Sequence, residues 1–360
     1  MPRRNKYKVN NESFSDEDFI KDCPRHKLIP TILPKTSRII VMGDIHGDLN
    51  LAIKSFKLAK LIDDELNWIA QPPNTVVVQV GDQIDSCRPT PEMDCNKDRN
   101  KDDKFEDIKV LEFFNDMQKK AERKGGNVYS LLGNHELMNV QGSFNYVSYD
   151  NLHQFYYQSN KIEYRGEQGR KDAFAPGGPM SNMLACTRPS ILIIGSNMFV
   201  HAGVLPALTK YLDYYNIDAN SKLKYLNGIV RRWLLNKLND KDQEELRKIV
   251  IENMELSPFW TRIYGSIPKD TQMNTPICSD HIKPVLQVFK IGTVIVGHTP
   301  QMKSDSYGIN GTCYEKDKNT LYRVDGGFSR GFRVFNSNTI IQVLEILDDN
   351  QFNIYTDYNL

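Results

Sequence analysis

The 360-residue chain carries 46 Lys plus Arg against 45 Asp plus Glu, a formal charge of +1, and 40% of it is hydrophobic. That is enough to bury a core, and at about 100–200 residues per domain the length allows one large domain or two. A balanced charge lacks the basic excess that would neutralise a run of phosphates, so no nucleic-acid partner is expected, and no apolar run approaches the roughly 18 residues of a membrane span.

Residues 1–36 are polar, mixed in charge and interrupted by Pro24, Pro30 and Pro34. They read as a tail or wrapping arm ahead of a domain over 37–360. The basic start is followed by no apolar stretch, so a secreted or membrane-bound protein is not expected and the chain reads as intracellular. The six cysteines, Cys23, Cys87, Cys95, Cys186, Cys278 and Cys313, show no C-x-x-C pair or dense spacing, which predicts reduced thiols packed as small core or loop residues.

Beyond the arm a unit recurs in which a short β-branched run ends in a turn and a ligand-type residue. It occurs at 39–42 before Gly43-Asp44, at 76–80 before Gly81-Asp82, at 128–132 before Gly133-Asn134-His135 and at 294–296 before Gly297-His298. Runs 198–200 before His201 and 321–324 before Asp325 end alike. Short apolar runs bounded by turn signals predict buried strands. Leu49, Ala52, Ile53, Phe56 and Ala59 recur at helical spacing behind Asp48 or Asn50 as caps, and Val110, Phe114, Met117 and Ala121 do so before Gly125-Gly126. The acidic and basic run 94–107 (DCNKDRNKDDKFED) predicts a solvated loop leading away from the second motif. Residues 205–256 predict a helical insertion, with Asp240 and Gln243 spaced as an N-cap and its partner. Its role is open between shaping substrate access and packing alone.

Four of the seven histidines, His46, His135, His201 and His298, stand just after predicted strands. Ligands in open α/β sheets bind outside the carboxyl ends of the strands, so Asp44, His46, Asp82, Asp85, Asn134, His135, His201 and His298 are expected in one crevice. Carboxylate, imidazole and amide oxygen suit Mn, Fe or Zn, and the lack of thiolates argues against a structural zinc knot. Six such ligands plus a solvent molecule overfill one four-coordinate ion but leave two ions partly open, the condition for catalysis. Asp82 can bridge two ions, and a water held between them is acidified into a nucleophile, so no Ser or Cys nucleophile is required.

The motifs GDIHGD (43–48), GDQID (81–85), GNHE (133–136), VHAG (200–203) and GHT (297–299), in this order, resemble the calcineurin-like metallophosphoesterases, specifically their phosphoprotein phosphatase branch, over residues 38–347. GGNVYSLLGNHELMN from Gly125, PFWTR from Pro258, GHTP from Gly297 and VDGGFSRG from Val324 are similar to the Shewanella-like protein phosphatases. The Asn-rich composition and GDQIDSCRP resemble a version encoded by a large DNA virus, which makes packaging in a virus particle compatible with the intracellular reading. The resemblance implies an α/β four-layer sandwich, two facing β-sheets flanked by helices, and a dinuclear site. It assigns Asp44 and His46 to one metal, Asp82 to the bridge, and Asn134, His201 and His298 to the other. It also makes His135 the general acid, oriented by Asp85. The implied reaction is hydrolysis of phosphomonoesters on phosphoproteins, of the serine/threonine type and extending to phosphotyrosine, with no regulatory subunit indicated.

Two departures accompany the resemblance. Nuclease-like relatives end in Gly-His-x-His, whereas Pro300 occupies that position here, which favours the phosphatase branch. That branch normally has Asp-Arg-Gly where this chain has Asp85-Ser86-Cys87, so the arginine that clamps phosphate must come from elsewhere. Arg262 in PFWTR is the preferred substitute, Arg88 the alternative and Arg330 a third, with Asn134 as a further phosphate contact. The competing functions are hydrolysis of dinucleoside polyphosphates and a non-catalytic metal-binding module.

Overall fold

The computed structural model describes residues 14, 16–99, 101–213, 217–238, 241–303, 307–335 and 340–357. In chain order the strands are β1 (Ile32–Leu33), β2 (Arg38–Met42), β3 (Val76–Gln79), β4 (Asn127–Ser130), β5 (Tyr156–Ser159), β6 (Ile162–Arg165), β7 (Ile191–Ile194), β8 (Asn197–Val200), β9 (Thr293–Val296), β10 (Asn310–Glu315), β11 (Lys318–Arg323), β12 (Ile341–Leu347) and β13 (Gln351–Asp357). One sheet has the order β13-β12-β2-β3-β4 and the other β1-β7-β8-β9-β11-β10, with β5 and β6 forming a separate hairpin.

The period of two along each strand builds the layers. In β2, Ile39 and Val41 point into an apolar layer between the sheets with Val78, Phe199, Ile295 and Leu344, while Ile40 and Met42 pack beneath helices Leu49–Leu58 and Asp107–Glu122. A third core joins the far face of the six-stranded sheet to the helical segments. Each aliphatic side chain taken fully out of water contributes about 1.5–3 kcal/mol. Strands buried on both faces explain why their sequences are continuous β-branched runs rather than alternating ones. The result is the expected four-layer arrangement, helices, sheet, sheet, helices.

Local signals account for the predicted helices. Asp48 caps Leu49–Leu58 by accepting the Leu51 N–H at 3.1 Å. Asp107–Glu122 ends where Gly125 takes φ +91° and the Gly126 N–H closes on the Ala121 carbonyl at 3.0 Å. Residues 205–256 resolve into Pro206–Asp213, Ala219–Leu234 and Lys241–Glu252. Asp240 lies outside the described residues, and so does its capping role. The charged run 94–107 is largely exposed and irregular until Asp107 opens its helix, fully buried. In the N-terminal arm, helix Asp16–Asp22 buries Phe19 and β1 adds in parallel to β7. Among the described residues no helix is long and apolar enough to cross a membrane.

The expectation of reduced thiols is corrected. All six cysteines are paired, as Cys23–Cys186, Cys87–Cys95 and Cys278–Cys313. Their Cα atoms stand 5.6, 5.8 and 5.6 Å apart, the ordinary range for a bridge. The partners are 163, 8 and 35 residues apart in sequence, so only the packing of the arm, of a loop and of a helix against β10 brings them together.

Candidate active site

Strands β2, β3 and β4 run parallel in one sheet, and β8, β9 and β11 run parallel in the other. Their carboxyl ends open onto one crevice. The segments that follow carry Asp44 and His46, Asp82 and Asp85, His201, His298 and Asp325 on loops, and Asn134 and His135 at the start of helix Asn134–Val140, all buried. Every residue of the expected constellation is therefore brought together.

Asp82 is the hub. Its Oδ2 lies 3.3 Å from His201 Nε2, 3.8 Å from His135 Nε2 and 3.9 Å from His46 Nε2. It belongs to both compact groups of potential metal ligands, His46–Asp82–His135 and Asp82–His201–His298, in each of which the atoms lie within 4.8 Å of one another. Asp44 Oδ2 stands 3.7 Å from His46 Nε2. Asn134 Oδ1 is 2.9 Å from both His201 Nε2 and His298 Nδ1, while its Nδ2 faces Met138 Sδ at 3.8 Å. That orientation suits a ligand oxygen.

Backbone carbonyls set the ring tautomers. His46 Nδ1 faces the Ile84 carbonyl at 3.3 Å, His201 Nδ1 the Val80 carbonyl at 2.9 Å and His298 Nε2 the Trp260 carbonyl at 3.0 Å. A proton donated to each carbonyl leaves the opposite nitrogen as a lone pair aimed into the crevice. Burial, then Arg88 and His135, hold His46 well below the ordinary imidazole range; burial, then His201 and Arg262, do the same for His298. Burial, then Asp325 and Asp82, push Asp44 well up, and burial pushes Asp325 up to about 6. Asp325 Oδ2 is buried with no hydrogen-bond partner. At His201 burial is outweighed by the Asp82 carboxylate, which raises the imidazole above its ordinary range in the metal-free chain. The neutral imidazoles of His46 and His298, the crowded carboxyls and an orphaned carboxylate oxygen fit a pair of cations, which would relieve the repulsion among these acceptors.

The chain is shaped to allow this crowding. His46, Asp82, Asp85 and His298 adopt φ of +46°, +54°, +71° and +66°, left-handed conformations that non-glycine residues seldom take and that functional sites hold by surrounding contacts. A methyl group at Gly133 would overlap the Asp82 carboxylate, and one at Gly297 would overlap that of Asp44. The Glu136 carboxylate accepts N–H bonds from Asp82 at 3.0 Å, from Gln83 at 2.7 Å and from Gly133 at 2.7 Å, pinning the second and third motifs together.

Beside the hub, His135 Nδ1 meets Asp85 Oδ2 at 2.9 Å, and its Nε2 lines a cavity of about 200 Å³ with His46, Asp82, Asn134 and His298. Arg88 and Arg262 line the same cavity, whose walls include Tyr146, Trp260, Pro300 and Phe332. Arg88 is buried, its Nη1 donating to the Asp85 carbonyl at 3.0 Å and the Cys87 carbonyl at 2.7 Å, while Arg262 is exposed and donates to the His298 carbonyl at 3.3 Å. Ser86, where the family carries its arginine, is buried with its Oγ accepting from Asn151 Nδ2 at 3.3 Å. Arg330 bonds Glu106 at 2.5 Å and the Gly47 carbonyl at 2.6 Å.

The family model for calcineurin-like phosphoesterases matches residues 37–302. The chain belongs to that family. An uncharacterized protein of Acanthamoeba polyphaga mimivirus is 54% identical over 246 residues, covering 68% of this chain and 98% of its own. Shewanella-like protein phosphatase 2 of Arabidopsis thaliana is 26% identical over 365 residues, covering 92% of this chain and 81% of its own. Among solved structures, a cold-active protein tyrosine phosphatase matches in fold with a TM-score of 0.60 at 20% identity, over 91% of this chain and 81% of that one. The fold of this calcineurin-like phosphoesterase implies a dinuclear metal site.

Several residues of the phosphoesterase site escape a reading of the sequence. Arg170, fully buried, donates to Asn139 Oδ1 at 2.8 Å and to Asp107 Oδ2 at 2.8 Å, and lies 3.4 Å from Asp85 Oδ1. Nothing in the surrounding residues 166–174 marks it. Tyr146 and Phe332 flank the cavity from segments with no ligand motif. Asp325 carried a signal, since it closes a strand as the ligands do.

Proposed function

We propose that the chain is a dinuclear-metal phosphomonoesterase acting on phosphoproteins. The observation that carries this reading is Asp82, shared by two ligand groups, with the His135–Asp85 pair facing the same cavity. Asp44, His46 and Asp82 would hold one ion, and Asp82, Asn134, His201 and His298 the other, with Mn, Fe or Zn as the candidates. When bound, such ions acidify water and offset the charge of the phosphate.

The chain's own side chains supply the rest. Arg88 and Arg262 approach the cavity from the second motif and from PFWTR, and their guanidinium forks suit the non-bridging oxygens of a phosphoryl group. His135 Nε2 donates a proton to the departing oxygen. Asp85 accepts the Nδ1 proton, which orients the ring. Tyr146, Trp260 and Phe332 wall the cavity with aromatic surface, which favours phosphotyrosine alongside the serine/threonine type of substrate. The disulfides limit an intracellular site of action to a compartment or particle in which they persist.

A phosphopeptide panel carrying phosphoserine, phosphothreonine and phosphotyrosine, run with Mn, Fe and Zn added singly beside diadenosine tetraphosphate, tests the reading. Turnover of the dinucleotide with none of the phosphopeptides would replace it.

A further inference from the structure

The arginine of the cavity is built into a covalently closed loop. The Arg88 guanidinium lies 4.4 Å from the ring centre of Phe332 and 5.6 Å from that of Tyr146. Its Nη1 is held by two carbonyls of its own loop, at Asp85 and at Cys87. The residue that supplies the second carbonyl is itself tied down twice. Cys87 N–H donates to the Tyr146 carbonyl at 3.1 Å, and the Cys87 side chain is bonded to Cys95. At the other end of the loop Cys95 is buried, and its neighbour Asn96 donates to the carbonyls of Phe144 at 2.8 Å and Val147 at 2.9 Å. Both ends therefore rest on the segment that carries Tyr146, and the bridge closes the loop over it.

Arg88 stands two residues beyond Ser86, where Pro89 and Pro91 restrict the backbone but leave the long arginine side chain its rotamers, which the carbonyls anchored by the bridge limit. We infer that Cys87 and Cys95 are positioning residues for Arg88, and that opening their disulfide lowers catalysis by releasing the guanidinium from the cavity. The inference rests on Arg88 as a phosphate-binding residue, proposed above. A dithiol opens the bridge with balanced chemistry: one thiolate attacks a protein sulfur and forms a mixed disulfide. The second thiol then displaces the remaining cysteine. Two electrons and two protons pass to Cys87 and Cys95, and the dithiol becomes a cyclic disulfide.

The test is a cycle between the bridge and the arginine in the manganese-loaded protein, using an aryl phosphate and a phosphotyrosine peptide. C87S/C95S is expected to lose about tenfold or more in kcat/KM with metal content unchanged, and the triple variant C87S/C95S/R88A should be no more impaired than R88A by itself. Dithiothreitol, with manganese in excess, should lower the activity of the wild type and leave R88A unaffected, and mass spectrometry of alkylated protein should show the loss tracking thiols at 87 and 95. The dithiol arm keeps the test decisive if C87S/C95S does not fold. C278S/C313S, whose residues do not line the cavity, should retain the sensitivity to dithiothreitol. Near-normal kcat/KM in C87S/C95S, or in wild type with the bridge open, would overturn the positioning role while an impaired R88A left the arginine in place. A loss that simply multiplies with that of R88A would also overturn it, as the mark of a general staple. An unimpaired R88A would instead remove the phosphate-binding reading, and the inference with it.

Discussion

His135 Nδ1 sits 2.9 Å from Asp85 Oδ2, and Asp85 is gripped in turn by Asn139 Nδ2, 2.9 and 3.1 Å from its two oxygens, and approached by Arg170. The imidazole therefore presents Nε2 to the cavity in one tautomer and one orientation. His135→Ala should lower turnover of alkyl phosphoesters by about 10²-fold or more, with metal content near normal. An aryl phosphate, whose leaving group needs less protonation, should lose less. Equal losses on the two substrates, compared by steady-state kinetics, would reduce His135 to a positioning residue.

Among the described residues, Asp82 is the single carboxylate within reach of three imidazoles. Asp82→Asn keeps the shape and removes the charge, so it should lower metal content and abolish phosphatase activity. Elemental analysis beside an activity assay checks this, and two ions bound with normal turnover would refute the shared-ligand arrangement.

Arg88 and Arg262 reach the same cavity from opposite states, one buried and clasped by carbonyls, the other exposed at the rim. A buried, preoriented fork loses less entropy on binding phosphate, so Arg88→Ala is expected to cost several kcal/mol of transition-state stabilisation, on the order of 10²-fold in kcat/KM, and Arg262→Ala less. Arg88→Lys should also fail, because an ammonium lacks the planar fork. If Arg262→Ala proves the more damaging, the rim arginine is the clamp. Two near-normal variants would mean that neither arginine carries the phosphate.

The carboxyl crowding predicts a pH signature in the metal-free protein. Asp325 is held up to about 6 by burial, whereas an unfolded aspartate titrates near 3.9. Between about pH 4 and 6 the unfolded chain releases this proton first, so Asp325 weakens the fold progressively as pH rises through that window. Asp325→Asn removes the contribution, and its stability relative to wild type should climb by up to about 3 kcal/mol across it. Urea unfolding with EDTA at several pH values measures the difference. A constant offset would show that Asp325 keeps its ordinary titration in the fold.

The site's ligand-bearing loops were legible because their chemistry is local. A β-branched run, a glycine and a ligand within a few residues specify a buried strand, a tight turn and a side chain at its end, as at 39–46, 76–82 and 294–298. Strand ends of two sheets then share one crevice whatever else the chain does. Arg88, Arg170, Phe332 and the three disulfides were settled only in three dimensions. Ser86 is buried against Asn151, and the arginine of this loop lies at residue 88, against Phe332 about 240 residues on in sequence. Cys23 meets Cys186 because the N-terminal arm folds back over the helix Pro179–Thr187. Contacts of this kind depend on how segments distant in sequence pack, and no spacing within either segment records the partner.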